Sequence, residues 1–302
     1  LQECIGDKVE TAVLKMTPGQ VVLLENLRFH PEEEENNPAF AQALARLAEV
    51  YINDAFSVSH RTHASVEGIT HYLPSAAGFL MLKEIEMLEK VLSHPEKPFV
   101  ALLGGAKVKD KVRVLNHILD RLDGVLIGGG MAAPFLKAEG YSVNSVSTEE
   151  LEFSHNVVDK ARAVGLPLFL PQDVLVTPHL QPGAEAKVTE VSKIPPGWLI
   201  ADIGPQTVAN FASQLKASKT VLWNGPLGVF EYPQFAQGTR ALAQVMANLQ
   251  ATTIVGGGST VEAAISLGLV DRMSHVSAGG GATLEFLEGR ELPGIAALPN
   301  KK

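Results

Sequence analysis

The chain has 302 residues, 46% of them hydrophobic and 19% charged, the make-up of a globular protein with a sizeable core and, at about 150 residues per domain, of two domains. A net charge of −8 excludes nucleic acid as a bulk partner, and Cys4, the single cysteine, excludes an internal disulfide framework and fits a reducing compartment, hence a cytoplasmic protein. No apolar run nears the ~20 residues of a membrane span, so no membrane partner is expected; the opening "LQECIGDKVE" lacks the order of a secretion signal and has no methionine, which leaves open an earlier natural start.

In chain order, "VVLLENLRF" (21–29) and "EVYINDAF" (49–56) read as strands. Between them "PAFAQALARLAEV" (38–50) reads as a helix opened by Pro38, with Glu32 to Glu35 just before it, where the helix dipole favours acids. "GFLMLKEIEMLEKVLSHPEKP" (78–98) reads as a long helix with Leu82, Ile85, Leu88 and Val91 on one face, stopped by Pro95 and Pro98. It reads as a connector between two lobes, the plainer alternative being one more crossover helix in a single sheet. Then "FVALLGG", "GVLIGGG", "LPLFLP", "TVLWNG" and "TTIVGGG" each precede a helical pattern, the alternation of a parallel sheet covered on both faces.

Four glycine clusters follow apolar strands: 104–105, 128–130, 256–258 and 279–281. Ligands bind at the carboxyl ends of such strands, so these loops are expected along one edge. One such loop is ordinarily a tight turn; four together point to phosphate or nucleotide, because glycine permits close backbone approach and helix N-termini offer N–H donors. "STVE" (259–262) matches a capping box, with Ser259 as the cap and Glu262 three residues on. Lys107 and Lys111, in "GGAKVKDKVR" with Lys109 and Arg113, share a helix face if the helix starts near Ala106. Either they are two solvated lysines or an anion lies between them.

A second anion site is suggested by Arg28 at the end of one strand and by His60, Arg61 and His63 after another. A surface salt bridge is the plainer reading of either arginine. His60 and His63 alone do not give zinc-ligand spacing. The P-loop and protein-kinase signatures are missing, and no cluster makes a convincing dinucleotide fingerprint, which leaves a dehydrogenase as a distant alternative.

The elements "LLENLRFHPEE", "YINDAFSVSHRTHAS", "LLGGAKVKDK", "LIGGGMAAPFLKA", "VLWNGPLGVFE", "IVGGGST" and "SHVSAGGGATLEFLEG" follow one another in the order of the phosphoglycerate kinases, and from residue 1 to the closing "LPGIAAL" the chain closely resembles that family. The resemblance implies a two-lobed α/β enzyme with parallel sheets flanked by helices. Residues 1–77 would be the remainder of the 3-phosphoglycerate lobe, 78–95 an interdomain helix, 96–290 a Rossmann-like nucleotide lobe and 291–302 a tail. It implies reversible phosphoryl transfer between 1,3-bisphosphoglycerate and ADP, giving 3-phosphoglycerate and ATP, by a monomer that uses Mg2+ with ADP or ATP. Arg28, His60, Arg61 and His63 match the family's substrate side, and Lys107 and Lys111 its phosphate-handling lysines. Gly105, Gly129, Gly204, Pro226, Val229 and Glu231 match its adenine and ribose pocket. Asn224 matches a phosphate-contacting asparagine, and "IVGGGST" puts Gly257, Gly258, Ser259 and Thr260 on the nucleotide side. Gly279, Gly280 and Gly281 match the glycines that present donors to the moving phosphoryl group.

Two departures from the family stand out. Its "DFN" element and "GRP" loop are not found, so roughly a hundred residues of the amino-terminal lobe are expected to be missing, and a catalytically silent nucleotide-binding fragment is the alternative to an active enzyme. Ser259 stands where the family has a magnesium-binding aspartate, and a hydroxyl is a poorer ligand for that hard cation.

Overall fold

The computed structural model describes residues 1–105, 108–144 and 146–299, the side chains at 109 and 110 excepted. The chain divides into two compact units, Leu1–Glu86 together with the stretch from Arg290, and Met87–Gly289. The division falls inside the long helix, not at residue 77 or 95, and residues 290–299 belong to the first unit instead of forming a separate tail. Gly294 is the reason. Its N–H donates to the Ser59 carbonyl at 2.8 Å, and its carbonyl accepts from Asn53 Nδ2 at 3.2 Å. A side chain there would come within 2.9 Å of the Ser59 Cα, so only glycine lets this segment lie flat.

In the first unit, α1 (Asp7–Leu14), α2 (Pro31–Glu34) and α3 (Pro38–Ala45) accompany a two-stranded parallel sheet of β1 (Tyr51–Asn53) and β2 (Ser75–Ala77). Cys4, Phe40, Ala41, Leu44, Ala64 and Ile69 form its core. Asn37 caps α3, its side chain accepting from the N–H groups of Ala39 and Phe40 just ahead of Pro38.

Several expectations are corrected here. Residues 21–29 are not a strand: 21–26 are irregular and Leu27–Phe29 is one 3-10 turn. Val21 and Leu23 are 94% and 84% exposed, and no strand pairs with them. An apolar run needs a ladder partner for its backbone groups before it becomes a strand. The helix at 38–50 stops at Ala45, and the strand at 49–56 shrinks to three residues. The acids before α3 do not simply decorate its dipole, because Glu33 lies in α2 with its own short turn and is buried.

The connector is α4 (Phe79–Ser93). Asp54 Oδ1 accepts the Met81 N–H at 2.9 Å and holds its first turn. The buried positions are Met81, Glu84, Leu88 and Val91, while Leu82 is half exposed, so the inward stripe sits one residue earlier in the first half than the apolar pattern suggests.

The second unit runs through β3 (Phe99–Leu103), α5 (Val108–Ile118), β4 (Gly124–Ile127), α6 (Ala132–Ala138), α7 (Thr148–Val164) and β5 (Leu168–Phe169). It continues with β6 (Asp173–Thr177), β7 (Lys187–Glu190), β8 (Leu199–Ile203), α8 (Pro205–Ala217), β9 (Thr220–Asn224) and α9 (Gln237–Met246). It closes with β10 (Thr252–Gly256), α10 (Gly258–Ser266), β11 (His275–Val276) and α11 (Gly281–Leu287); α12 (Pro293–Ala296) belongs to the first unit. Six parallel strands pair in the order β11-β10-β9-β3-β4-β5, and β7-β6-β8 form a small antiparallel sheet. Every residue of β3 and β9 is buried, as a continuous apolar run covered on both faces requires. Trp223, Phe211, Leu102 and Leu242 anchor this core. No helix among the described residues is long and apolar enough to cross a membrane.

Candidate active site

β3 and β9 are neighbours, yet the chain leaves β3 towards β4 and β5 and leaves β9 towards β10 and β11. That reversal opens a crevice at the carboxyl ends of the two strands, the place where open α/β sheets hold ligands. The two loops meet there main chain to main chain. Gly104 N–H donates to the Asn224 carbonyl at 3.0 Å, and Gly105 N–H donates to that of Pro226 at 2.6 Å. A Cβ on Gly104 would sit 2.2 Å from the Pro226 oxygen, and one on Gly225 2.1 Å from the Gly104 oxygen.

A cleft of about 650 Å³ opens above this junction. It gathers Gly105, Lys111, Asn224, Pro226, Val229, Glu231, Gly257, Gly258, Ser259, Thr260, Gly280 and Gly281, all singled out in the sequence. Gly130, of the second glycine cluster, lines it too, and so do Leu180, Ile200, Ala201, Gly228 and Leu284, which were not singled out. Three expected residues do not line the cleft: Gly279, whose N–H donates to Ser277 Oγ at 3.1 Å, Gly129 and Gly204. Gly129 underlies it, with φ +61° and a hypothetical Cβ 2.7 Å from the Pro226 oxygen. Gly204 opens α8 against Asp173, whose carboxylate accepts the N–H groups of Gln206 and Thr207. Lys107 lies outside the described residues, and α5 is described from Val108.

At one end of the cleft the chemistry is that of an anion site. Lys111 is only 8% exposed, its Nζ 3.3 Å from where a Gly105 Cβ would be. Asn224 is 3% exposed, and its Nδ2 has no hydrogen-bond partner among the described residues. A buried amide donor without a partner costs about 1–3 kcal/mol, so it signals a group to be met by a ligand. That Nδ2 is also 3.3 Å from a would-be Cβ on Gly257, the residue that opens α10. Gly257 is the true N-cap, at φ +89° and without a side-chain cap, so the expected capping box at Ser259 does not form; Ser259 is the second helical residue. The box was misplaced by two residues because glycine reaches a backbone angle that serine avoids. The first N–H groups of α10 therefore lack a side-chain cap beside Asn224 and Lys111. Thr260 plays a supporting part, its Oγ1 accepting the buried Gly225 N–H at 2.6 Å.

In the first unit, His63 is 6% exposed, with Nδ1 3.7 Å from the Glu33 carboxylate. Glu33 accepts both the N–H (3.0 Å) and the hydroxyl (2.5 Å) of Ser65. Burial lowers the His63 pKa; Glu33 opposes that, while Arg28 and Arg61 reinforce it. Both guanidinium groups are therefore felt at one imidazole. Arg28 lies 3.7 Å from Glu34 and Arg61 is exposed, while His60 is half-buried. Glu33 was missed as an organising group because its neighbours in "HPEEEE" are indistinguishable from it in sequence. Another cleft, about 680 Å³ in the second unit, lies beside Arg162 and Glu139, which pair at 2.8 Å; none of the four glycine clusters reaches it.

A buried lysine and an unmet amide donor at the switch point of a doubly wound sheet are the arrangement of an α/β protein that takes a phosphate-bearing ligand. Comparison with known proteins narrows this. The family model described as phosphoglycerate kinase matches residues 1–290. The chain is 49% identical to the phosphoglycerate kinase of Moorella thermoacetica over 303 aligned residues, covering all of this chain and 77% of that protein. It is equally 49% identical to that of Pelotomaculum thermopropionicum, covering 99% of this chain and 77% of the relative. Among solved structures, phosphoglycerate kinase from Coxiella burnetii superposes with a TM-score of 0.85 at 43% identity, over 93% of this chain and 73% of that one. The enzyme from Pyrococcus horikoshii gives 0.87 at 30% identity, over 98% and 77%. The chain belongs to the phosphoglycerate kinase family. The chain spans 77% of the length of the two named relatives; the family match covers residues 1–290 of this chain and does not establish the expected loss of about a hundred amino-terminal residues.

Proposed function

We propose that the cleft of the second unit binds ADP or ATP, with the phosphates between Lys111, Asn224 and the start of α10 and the nucleoside against Pro226, Gly228, Val229 and Glu231. Arg28, His60, Arg61 and His63 hold the 3-phosphoglycerate moiety. A β-phosphate oxygen of ADP attacks the acyl phosphorus of 1,3-bisphosphoglycerate; the new O–P bond forms as the acyl P–O bond breaks, and the carboxylate leaves. Such a transfer needs alignment and neutralised charge more than covalent help. Lys111 supplies a fixed cation in a water-poor setting, and the backbone of Gly280 and Gly281 supplies donors to the moving group. Lys107 is assigned the same transfer by resemblance alone. The single cysteine supports the cytoplasm as the place of this reaction.

Magnesium is implied by the family, but the described residues do not make a protein cage for it. Among the described residues no three His, Cys, Asp or Glu converge on a metal-sized site. At the phosphate end of the cleft Ser259 offers only a hydroxyl, and no step is assigned to the ion.

The observation that carries the reading is the unpartnered Nδ2 of Asn224 beside Lys111 and α10. The test is calorimetry with ADP and with 3-phosphoglycerate, followed by a coupled assay for ATP formed from ADP and 1,3-bisphosphoglycerate. Binding of both ligands and ATP formation are expected. ADP binding without transfer would instead establish a silent nucleotide-binding protein, and no ADP binding would refute the assignment of the cleft.

A further inference from the structure

One wall of the cleft is the loop between β9 and α9, which contributes Pro226, Gly228, Val229 and Glu231. Its back is pinned at separate points. Val229 N–H donates to the Ala201 carbonyl of β8 at 2.9 Å, and Leu227 N–H donates to Thr239 Oγ1 of α9 at 2.9 Å. Behind both lies the carboxyl group of Asp202, only 1% exposed and not part of the cleft surface.

That carboxyl group is wedged between two glycines. A Cβ on Gly228, in the wall, would sit 2.5 Å from Asp202 Cγ, and one on Gly238, in the first turn of α9, 2.5 Å from Asp202 Oδ1. Oδ2 accepts the Gly238 N–H at 2.7 Å, and Oδ1 accepts the Ile203 N–H at 2.9 Å. One buried group thus touches the wall, caps the helix that carries Thr239, and sits on the strand that supplies Ile200 and Ala201 to the cleft.

We propose that Asp202 is a positioning residue for nucleotide binding, its ionised carboxylate holding α9 and the 226–231 wall in the arrangement that accepts the nucleoside. The inference rests on the assignment of the cleft to nucleotide. Both carboxylate oxygens already face N–H donors, so a proton added to either sets donor against donor and loosens the clamp. Burial pushes the Asp202 pKa up to about 7, opposed by the N–H groups of Gly238, Ile203 and Gln237. No charged side chain is among the causes, neither Glu231 of the wall, nor Arg240 of α9, nor Asp173 of the paired strand β6. The clamp therefore titrates near neutrality on its own account.

The experiment is ADP affinity by calorimetry at pH 6, 7 and 8 for the wild type and Asp202→Asn, read as a ratio so that the ionisation of ADP itself cancels. With a charge-assisted hydrogen bond at stake, the variant should bind about ten-fold more weakly at pH 8 and nearly equally at pH 6, where the wild-type carboxyl is itself neutral. A ratio that does not change with pH, or that stays within two-fold at pH 8, overturns the proposal. If wild-type protein does not bind ADP at all, it is the assignment of the cleft that fails. Should Asp202→Asn not fold, the carboxyl carbon of Asp202 is titrated by NMR in the wild type. Reciprocity of linkage then requires ADP to lower its apparent pKa by about one unit. No movement of that pKa with ADP bound also overturns the proposal.

Discussion

Replacing Asn224 with leucine, which has nearly the same shape, separates binding from stability. Its Nδ2 is buried and has no partner among the described residues, so its removal breaks no hydrogen bond of that group. Relief of an unsatisfied donor is worth about 1 kcal/mol or more, which for a unit of this size raises the melting temperature by roughly 2–4 °C. The loss on the ligand side is larger. A donor to a charged phosphate oxygen contributes about 1.5–3 kcal/mol, so ADP affinity should fall roughly 10- to 150-fold. Thermal melts without ligand and ADP calorimetry on the same preparations measure both quantities. ADP affinity within two-fold of wild type would refute the role of Asn224 as a phosphate donor. A fall of several degrees in the unliganded melt would refute the claim that Nδ2 lacks an internal partner.

Lys111→Ala should cut turnover by about 10²–10³ in the coupled assay, the usual loss for one preorganised charge donor, while Arg113→Ala, at an exposed position of the same helix, changes it little. Burial lowers the pKa of His63, so below its ordinary value of 6.5 the unfolded chain takes up the proton first. The stability of the first unit is therefore fully present above about pH 6.5 and falls as the pH drops further; urea unfolding at pH 7.5 and 5.5 should show this, and His63→Gln should flatten the slope. Ending the chain after Gly289 removes the contacts of Gly294 with Ser59 and Asn53. Hydrogen exchange in residues 51–66 should then accelerate while ADP affinity stays the same.

The six-stranded sheet of the second unit was legible because each of its long strands is a continuous apolar run ended by glycine, a pattern that implies burial on both faces whatever the neighbours are. Parallel pairing then puts all the glycine loops on one edge, and the residues of the cleft follow. The same pattern at 21–29 misled, since whether an apolar run finds a ladder partner is decided by residues far away in the chain. The start of α10 was misread by two residues because serine and glycine are both good caps, and backbone angles distinguish them where side-chain type does not. Glu33 and Asp202 owe their roles to Ser65, His63, Gly228 and Gly238, which are close only in three dimensions. No local signal marks either one among the other acids.

The first unit is discontinuous in sequence, its residues 1–86 joined by a segment that begins at Arg290. During synthesis its opening portion emerges and then waits while the entire second unit, Met87–Gly289, is made. At about 5–20 residues per second that interval is on the order of 10–40 s. Throughout it Ser59 and Asn53 have no Gly294 to bond, and the surface that will receive Gly294 stays uncovered. The order of completion of these two units on the ribosome is thus the reverse of the order in which they are begun: the second unit can close its core before the first unit receives the segment from Arg290.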